Sequence, residues 1–158
     1  MNYLIDTNLL TRLVEPTHAM HREALDAVTL LVGRAHNLHV VAQNLYEFWV
    51  VATRPANVNG LGKTAAEALA DLVFFEGLFH WLDETVPIYS VWKDLVTSTP
   101  ILGKNGHDAR LVAAMTVHGL THLLTFNTQD FRQYPAITAV APADVLASGL
   151  TAPGGAAP

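Results

Sequence analysis

Short apolar runs alternate along this chain with longer stretches in which apolar residues recur every three or four positions. The short runs read as strands and the longer ones as helices. Tyr3-Leu4-Ile5 predicts a first strand, and 8–15 a short helix stopped by Pro16. A longer helix is predicted over 17–36, with Thr17 as N-cap and Met20, Ala24, Ala27, Val28 and Leu31 as its apolar stripe. Residues 38–42 read as the second strand, and 44–53 as a helix ended before Pro55. The segment 54–63 carries Pro, Gly and Asn and reads as a loop.

A helix follows over 64–77, with Thr64 and Glu67 spaced for a capping box. Then come a strand at 79–82, a helix at 87–99 with Pro87 in its first turn, and a loop at 100–106. An apolar helix is predicted over 107–118, closed by Gly119. The chain continues with a strand at 121–125, a short helix at 127–134 and a last strand at 137–140. Strands alternating with helices imply an α/β fold with a central parallel sheet covered by helices. One domain over 1–147 accounts for the pattern, and the small residues, Gly and Pro of 148–158 are expected to form a disordered tail.

Composition narrows the chemistry. The 158 residues suit one domain, and 51% of them are apolar, so a core forms without external help. With no cysteine there is neither disulfide nor thiolate metal site, and a reducing cytoplasm is the expected location. The start does not read as a signal peptide, and no apolar run is long enough to span a bilayer. The net charge is −5 with only nine Lys and Arg, unusual for a nucleic-acid binder. Bound divalent ions would reverse the local potential of an acidic site.

The acids fall at meaningful places. Asp6 closes the first strand, Glu47 lies at the start of the helix after the second, and Asp108 opens the helix before the strand at 121–125. Asn127 and Asp130 follow the carboxyl end of that strand. Ligands of parallel sheets bind beyond the carboxyl ends of the strands. Taken singly, each residue also fits a helix cap: Asn44 and Glu47, or Asn127 and Asp130, have capping-box spacing. Together, several carboxylates in one crevice stay ionised only around a cation. Oxygen donors without Cys or an ordered His set select Mg²⁺, with Mn²⁺ as the alternative.

Four segments resemble the PIN-domain family. Leu4-Ile5-Asp6-Thr7-Asn8 resembles its opening motif and Asn44-Leu45-Tyr46-Glu47-Phe48 its second acidic motif. Residues 106–113, Gly-His-Asp-Ala-Arg-Leu-Val-Ala, resemble the third, and 123–131, Leu-Leu-Thr-Phe-Asn-Thr-Gln-Asp-Phe, the closing one. The order and spacing are similar to those of VapC-type toxins of type II toxin–antitoxin pairs, over residues 3 to about 146.

The resemblance implies a PIN-like α/β sandwich, Mg²⁺-dependent RNA cleavage, a cognate VapB-like antitoxin and a homodimer. It implies metal-ligating roles for Asp6, Glu47 and Asp108, with Asn127 or Asp130 at the fourth position and Thr125 as polar support. Arg12, Arg54, Lys63, Lys104 and Arg110 are the candidate phosphate contacts. Tyr46, Phe48 and Trp49 are candidates either for base stacking or for core and partner contacts. Alternatives are a housekeeping PIN nuclease, a catalytically inactive PIN-like module, and a phosphatase with an aspartyl nucleophile. The last would carry a second Asp where this chain has Asn8.

Overall fold

The computed structural model describes residues 1–150. Five strands form one sheet in the order β3-β2-β1-β4-β5, with every pairing parallel. They are β1 (Asn2–Ile5), β2 (Asn37–Val41), β3 (His80–Leu82), β4 (His122–Leu124) and β5 (Thr138–Val140). Among the described residues, seven α-helices flank the sheet: α1 (Thr7–Leu13), α2 (His21–Gly33), α3 (Ala42–Thr53), α4 (Ala65–Leu78), α5 (Val86–Ser98), α6 (Asn105–Val117) and α7 (Pro142–Leu150). None of the described helices is long and apolar enough to cross a membrane.

Side chains alternate across a strand, so a run buried on both faces must be apolar throughout. β1 follows this rule. Tyr3 and Ile5 pack on one side with Leu9, Leu10, Phe48 and Phe75, in a core built from β1, β2 and α1–α4 with Val145 of α7. Leu4 packs on the other side with Ile88 of α5, Leu123 of β4 and the apolar positions 109–115 of α6. The sheet is therefore the middle layer of three.

Chain direction away from the centre reverses between β1 and β4. β2 and β3 lie on one side of β1, while β4 and β5 lie on the other. That reversal opens a crevice beyond the carboxyl ends of β1 and β4, where α/β folds bind their ligands.

Several predicted boundaries move, each for a local reason. Thr17 does not cap α2, which begins four residues later at His21 without a side-chain cap. The chain between uses successive turns, with Glu15 O accepting from His18 N–H and His18 O from His21 N–H. His21 Nδ1 also bonds Arg12 O, tying the entry of α2 to the end of α1. The segment 127–134 makes only a 3-10 turn over Thr128–Phe131.

The sequence expectation missed α7 altogether. Ser148, Gly149 and Leu150 belong to it, although they were expected in the disordered tail. The rest of that tail lies outside the described residues. Two expected caps are present. Thr64 accepts from Glu67 N–H while Glu67 accepts from Thr64 N–H, and Gly119 closes α6 at φ +68°, a conformation natural to glycine.

Candidate functional site

β1 ends at Ile5, and Asp6 N–H continues the ladder by donating to Leu124 O at 3.0 Å. The Asp6 side chain thereby lies just beyond the carboxyl end of β1, only 8% exposed and outside the lining of the crevice. Its Oδ2 accepts from Thr125 Oγ1 at 2.6 Å and from Asn8 Nδ2 at 2.8 Å. Asn8 Nδ2 also reaches Thr125 Oγ1, and Asn8 Oδ1 accepts from Phe126 N–H. Thr125 Oγ1 in turn accepts from Asn127 N–H. These bonds join the ends of β1 and β4 and fix the orientation of Asp6.

Glu47 lies on the second turn of α3, opposite Asp6. Thr7 Oγ1 donates to its Oε2 at 2.9 Å, and Gln43 Nε2 donates to its Oε1 at 2.8 Å. Gln43 Nε2 also donates to His107 O, which ties α3 to the first turn of α6. His107 Nδ1 stands 3.6 Å from Glu47 Oε1. Asp108 follows on that same turn, half-buried. Glu47, Asp108, Asn127 and Asp130 line one cavity of about 520 Å³, with Thr7, Lys104, His107 and Arg54 also in its wall.

The carboxylates disturb one another. Burial, opposed by the Thr125 and Thr7 hydrogen bonds but reinforced by Glu47 and Asp108, pushes the Asp6 carboxyl up to about 6. Asp108 is also raised, first by burial and then by Asp130 and Glu47, with Lys104 and His107 opposing. Buried Tyr134 is raised too, by desolvation and then by Asp108. Among the described residues, no Lys or Arg forms a salt bridge with Asp6, Glu47, Asp108 or Asp130. A cleft with this surplus of negative charge and only oxygen donors on its acids has the chemistry of a hard divalent cation site. Among the described residues, no group of three Asp, Glu or His side chains stands in position to hold an ion directly. Oxygen donors of this kind suit Mg²⁺, which often keeps several waters.

The capping alternatives fail on geometry. Asp6 precedes α1 and Asn127 precedes the 3-10 turn, and neither side chain makes a capping bond. Glu47 is well inside α3. The helix start lies three residues earlier than the Asn44–Glu47 spacing proposed, with Asn44 at N3 and its Oδ1 accepting from Val41 N–H. Asn8, where an aspartyl phosphatase would carry its second Asp, instead clamps Asp6 to Thr125.

The basic residues divide. Arg54 and Lys104 line the cleft. Arg54 is held by the returning loop, whose Gly60 has no room for a Cβ against the Arg54 backbone. Arg12, Lys63 and Arg110 are engaged elsewhere, by Glu15, Asp71 and Glu84 respectively. Of the aromatic candidates, exposed Tyr46 lines the cleft, Phe48 is core, and Trp49 packs against the core. Sequence reasoning passed over Thr7, Asn8 and Gln43 as site residues. The cue for the first two was adjacent polar side chains directly after an apolar strand.

No curated protein matches the sequence. Solved structures do match the fold. VapBC2 from Rickettsia felis, bound to a DNA fragment from its promoter, aligns at TM-score 0.65 and 16% identity, covering 89% of this chain and 98% of that one. VapC20 from Mycobacterium tuberculosis, a toxin that cleaves the sarcin–ricin loop, aligns at 0.64 and 14%, covering 84% and 95%. A toxin–antitoxin complex from Klebsiella pneumoniae aligns at 0.60 and 21%, covering 89% and 97%. At these identities the likeness speaks for the fold. The family model of the PIN domain matches residues 3–137, which hold β1 to β4 from Tyr3 onward and every residue that lines the cleft, and this chain belongs to the PIN-domain family.

Proposed function

We propose that this chain is a divalent-metal-dependent endoribonuclease, Mg²⁺ being the expected ion, and that it acts as the toxin of a toxin–antitoxin pair. The observation that carries the proposal is the set of uncompensated carboxylates around one cleft at the β1–β4 reversal. Asp6, Asp108 and Glu47 would hold the ion, with Asn127 or Asp130 completing its surroundings. When bound, the ion supplies an activated water and neutralises charge on the phosphate.

The protein's own groups do the rest. Thr125 and Asn8 keep Asp6 oriented toward the cleft. Thr7 and Gln43 hold both oxygens of Glu47, leaving it able to orient a water. Arg54 and Lys104, at the rim, meet the RNA phosphates on either side of the cut. Tyr46, 69% exposed beside them, offers a ring to an unpaired base.

The fourth position divides between a neutral and a charged side chain. Asn127 offers only a carbonyl, whereas Asp130 already acts on Asp108 through its charge. Asp130→Ala should therefore raise the Mg²⁺ concentration for half-maximal cleavage by about ten-fold, while Asn127→Ala changes it less. Metal titrations of the two variants decide this. Equal small effects would mean a site of three acids.

Structural neighbours solved as toxin–antitoxin complexes support a protein partner for this chain. A basic antitoxin segment would enter the acidic cleft, and apolar contact would hold it, since exposed ion pairs add little. The apolar faces of the helices at 17–36 and 44–53 are the expected contacts, but the core takes most of both, which leaves exposed Leu25 and Val32 on α2 and Tyr46 and Val50 on α3 for that role. A homodimer is also expected.

Induced expression in a bacterial host tests the reading. Growth should stop with the intact chain, continue with Asp108→Ala, and recover when the adjacent gene is co-expressed. Unimpaired growth with soluble intact protein would remove the toxin role and leave a housekeeping RNA-processing nuclease.

A further inference from the structure

A second cavity adjoins the acidic cleft across the first turn of α6. It has a volume of about 380 Å³ and is lined by Tyr89, Trp92, Gly103, Gly106, His107 and Arg110. His107 belongs to both walls. Neighbours three apart on a helix face lie about 5–6 Å from each other, so Arg110 stands beside His107 while Asp108 turns toward the carboxylates.

The second cavity differs from the cleft in chemistry. Tyr89 is 63% exposed, and its ring lies 5.8 Å from that of Trp92. Trp92 is held from behind by donating Nε1–H to Gly106 O at 2.9 Å. Arg110 contacts Glu84 through Nη2, but its Nη1 is shielded from water and has no hydrogen-bond partner among the described residues. Burial alone lowers the Arg110 pKa. An aromatic wall, a guanidinium short of an acceptor and a volume within the range of small-ligand sites occur together. Flat π-faces bearing hydrogen-bond acceptors at their edges suit such a place, and nucleobases have both.

We propose that this cavity is a base-binding subsite. It receives an unpaired base of the RNA next to the phosphate to be cut, stacked on Tyr89 and Trp92 with its acceptor edge toward Arg110. The proposal rests on the ribonuclease reading. It assigns RNA sequence preference to α5 and the loop before α6 rather than to the carboxylates. A flanking base held equally in ground and transition states changes KM rather than kcat.

The test is steady-state cleavage of the four RNA homopolymers, with Mg²⁺, by the intact chain, Tyr89→Ala and Tyr89→Phe. Tyr89→Ala should raise KM about five-fold or more, leave kcat nearly unchanged, and flatten the ranking of the homopolymers. Tyr89→Phe keeps the ring and should behave as the intact chain. Unchanged KM and ranking in Tyr89→Ala would overturn the proposal. So would sedimentation showing that Tyr89→Ala splits a dimer, because a second copy would then cover this face. If the intact chain cuts no RNA, the nuclease reading fails by itself. The subsite is then judged by quenching of tryptophan fluorescence with nucleoside monophosphates. Quenching that is present in the intact chain and absent in Trp92→Phe sustains it; no quenching in the intact chain overturns it.

Discussion

The Asp6→Asn variant should cut RNA about 100-fold or more slowly than the intact chain, yet melt at the same or a higher temperature without divalent ions. The two halves have one cause. Asp6 is buried where Glu47 and Asp108 repel its charge, and its carboxyl is pushed up to about 6. Its ordinary value is near 4. Between about pH 4 and pH 6 the native state therefore binds more protons than the unfolded chain, and stability falls as pH rises through that window.

Above the window, a raise of roughly two units corresponds to about 3 kcal/mol of destabilisation. A cation in the cleft offsets this, and so does the neutral amide of Asn, whose Oδ1 can still accept from Thr125 and Asn8. Melting temperature against pH in a chelator should slope downward for the intact chain and be flatter for the variant. Asp108, also raised, leaves a residual slope. A large drop in melting temperature for Asp6→Asn would mark Asp6 as structural instead.

Phe48→Ala should cost about 3–5 kcal/mol of stability, a substantial part of the 5–15 kcal/mol roughly available to a domain. Phe48 is fully buried where β1, β2 and α1–α4 meet. Its ring meets Phe75 edge-on at 5.0 Å and 88°, a favoured aromatic geometry. The melting temperature should fall by about 10 °C or more, and Phe48→Leu should fall less. A fall of only a degree or two would mean that the core closes over the vacancy. Glu47 precedes Phe48 on α3, so cleavage by Phe48→Ala should survive at low temperature and fail well below the intact chain's limit.

Much of this fold is legible from residue pattern because the pattern is strong there. β1 and β4 are apolar on consecutive positions, as a twice-covered strand must be, and Thr64 with Glu67 announces α4. Four acidic segments ordered along alternating strands and helices locate the cleft, because the carboxyl ends of parallel strands face the same way.

What escapes the sequence is non-local or weakly patterned. α7 carries Pro142, two Ala, Ser148 and Gly149, and its hold on the core comes through Val145 and Leu146, so local pattern resembles a tail. The start of α2 is decided by a bond from His21 to Arg12 rather than by Thr17. Glu15, three residues on, is a local partner for Arg12, but no local rule shows that Lys63 and Arg110 have acidic partners while Arg54 and Lys104 reach the cleft. Nor does one show that Asn8 spans to Thr125, 117 residues away along the chain.

That last separation also bears on the time at which the protein becomes competent. β1 leaves the ribosome before the other four strands of its sheet, yet it is central and pairs with β4 only after residue 122. The bond from Thr125 that orients Asp6 closes a loop of 119 residues. Such distant pairings form late, since loop-closure entropy opposes them until the intervening chain can pack. At ordinary elongation rates of about 5–20 residues per second, several seconds separate synthesis of Asp6 from that of its partner. A nascent chain thus has its carboxylates long before it has a cleft. Competence arrives only once β4 and Thr125 have been made and can pack against β1.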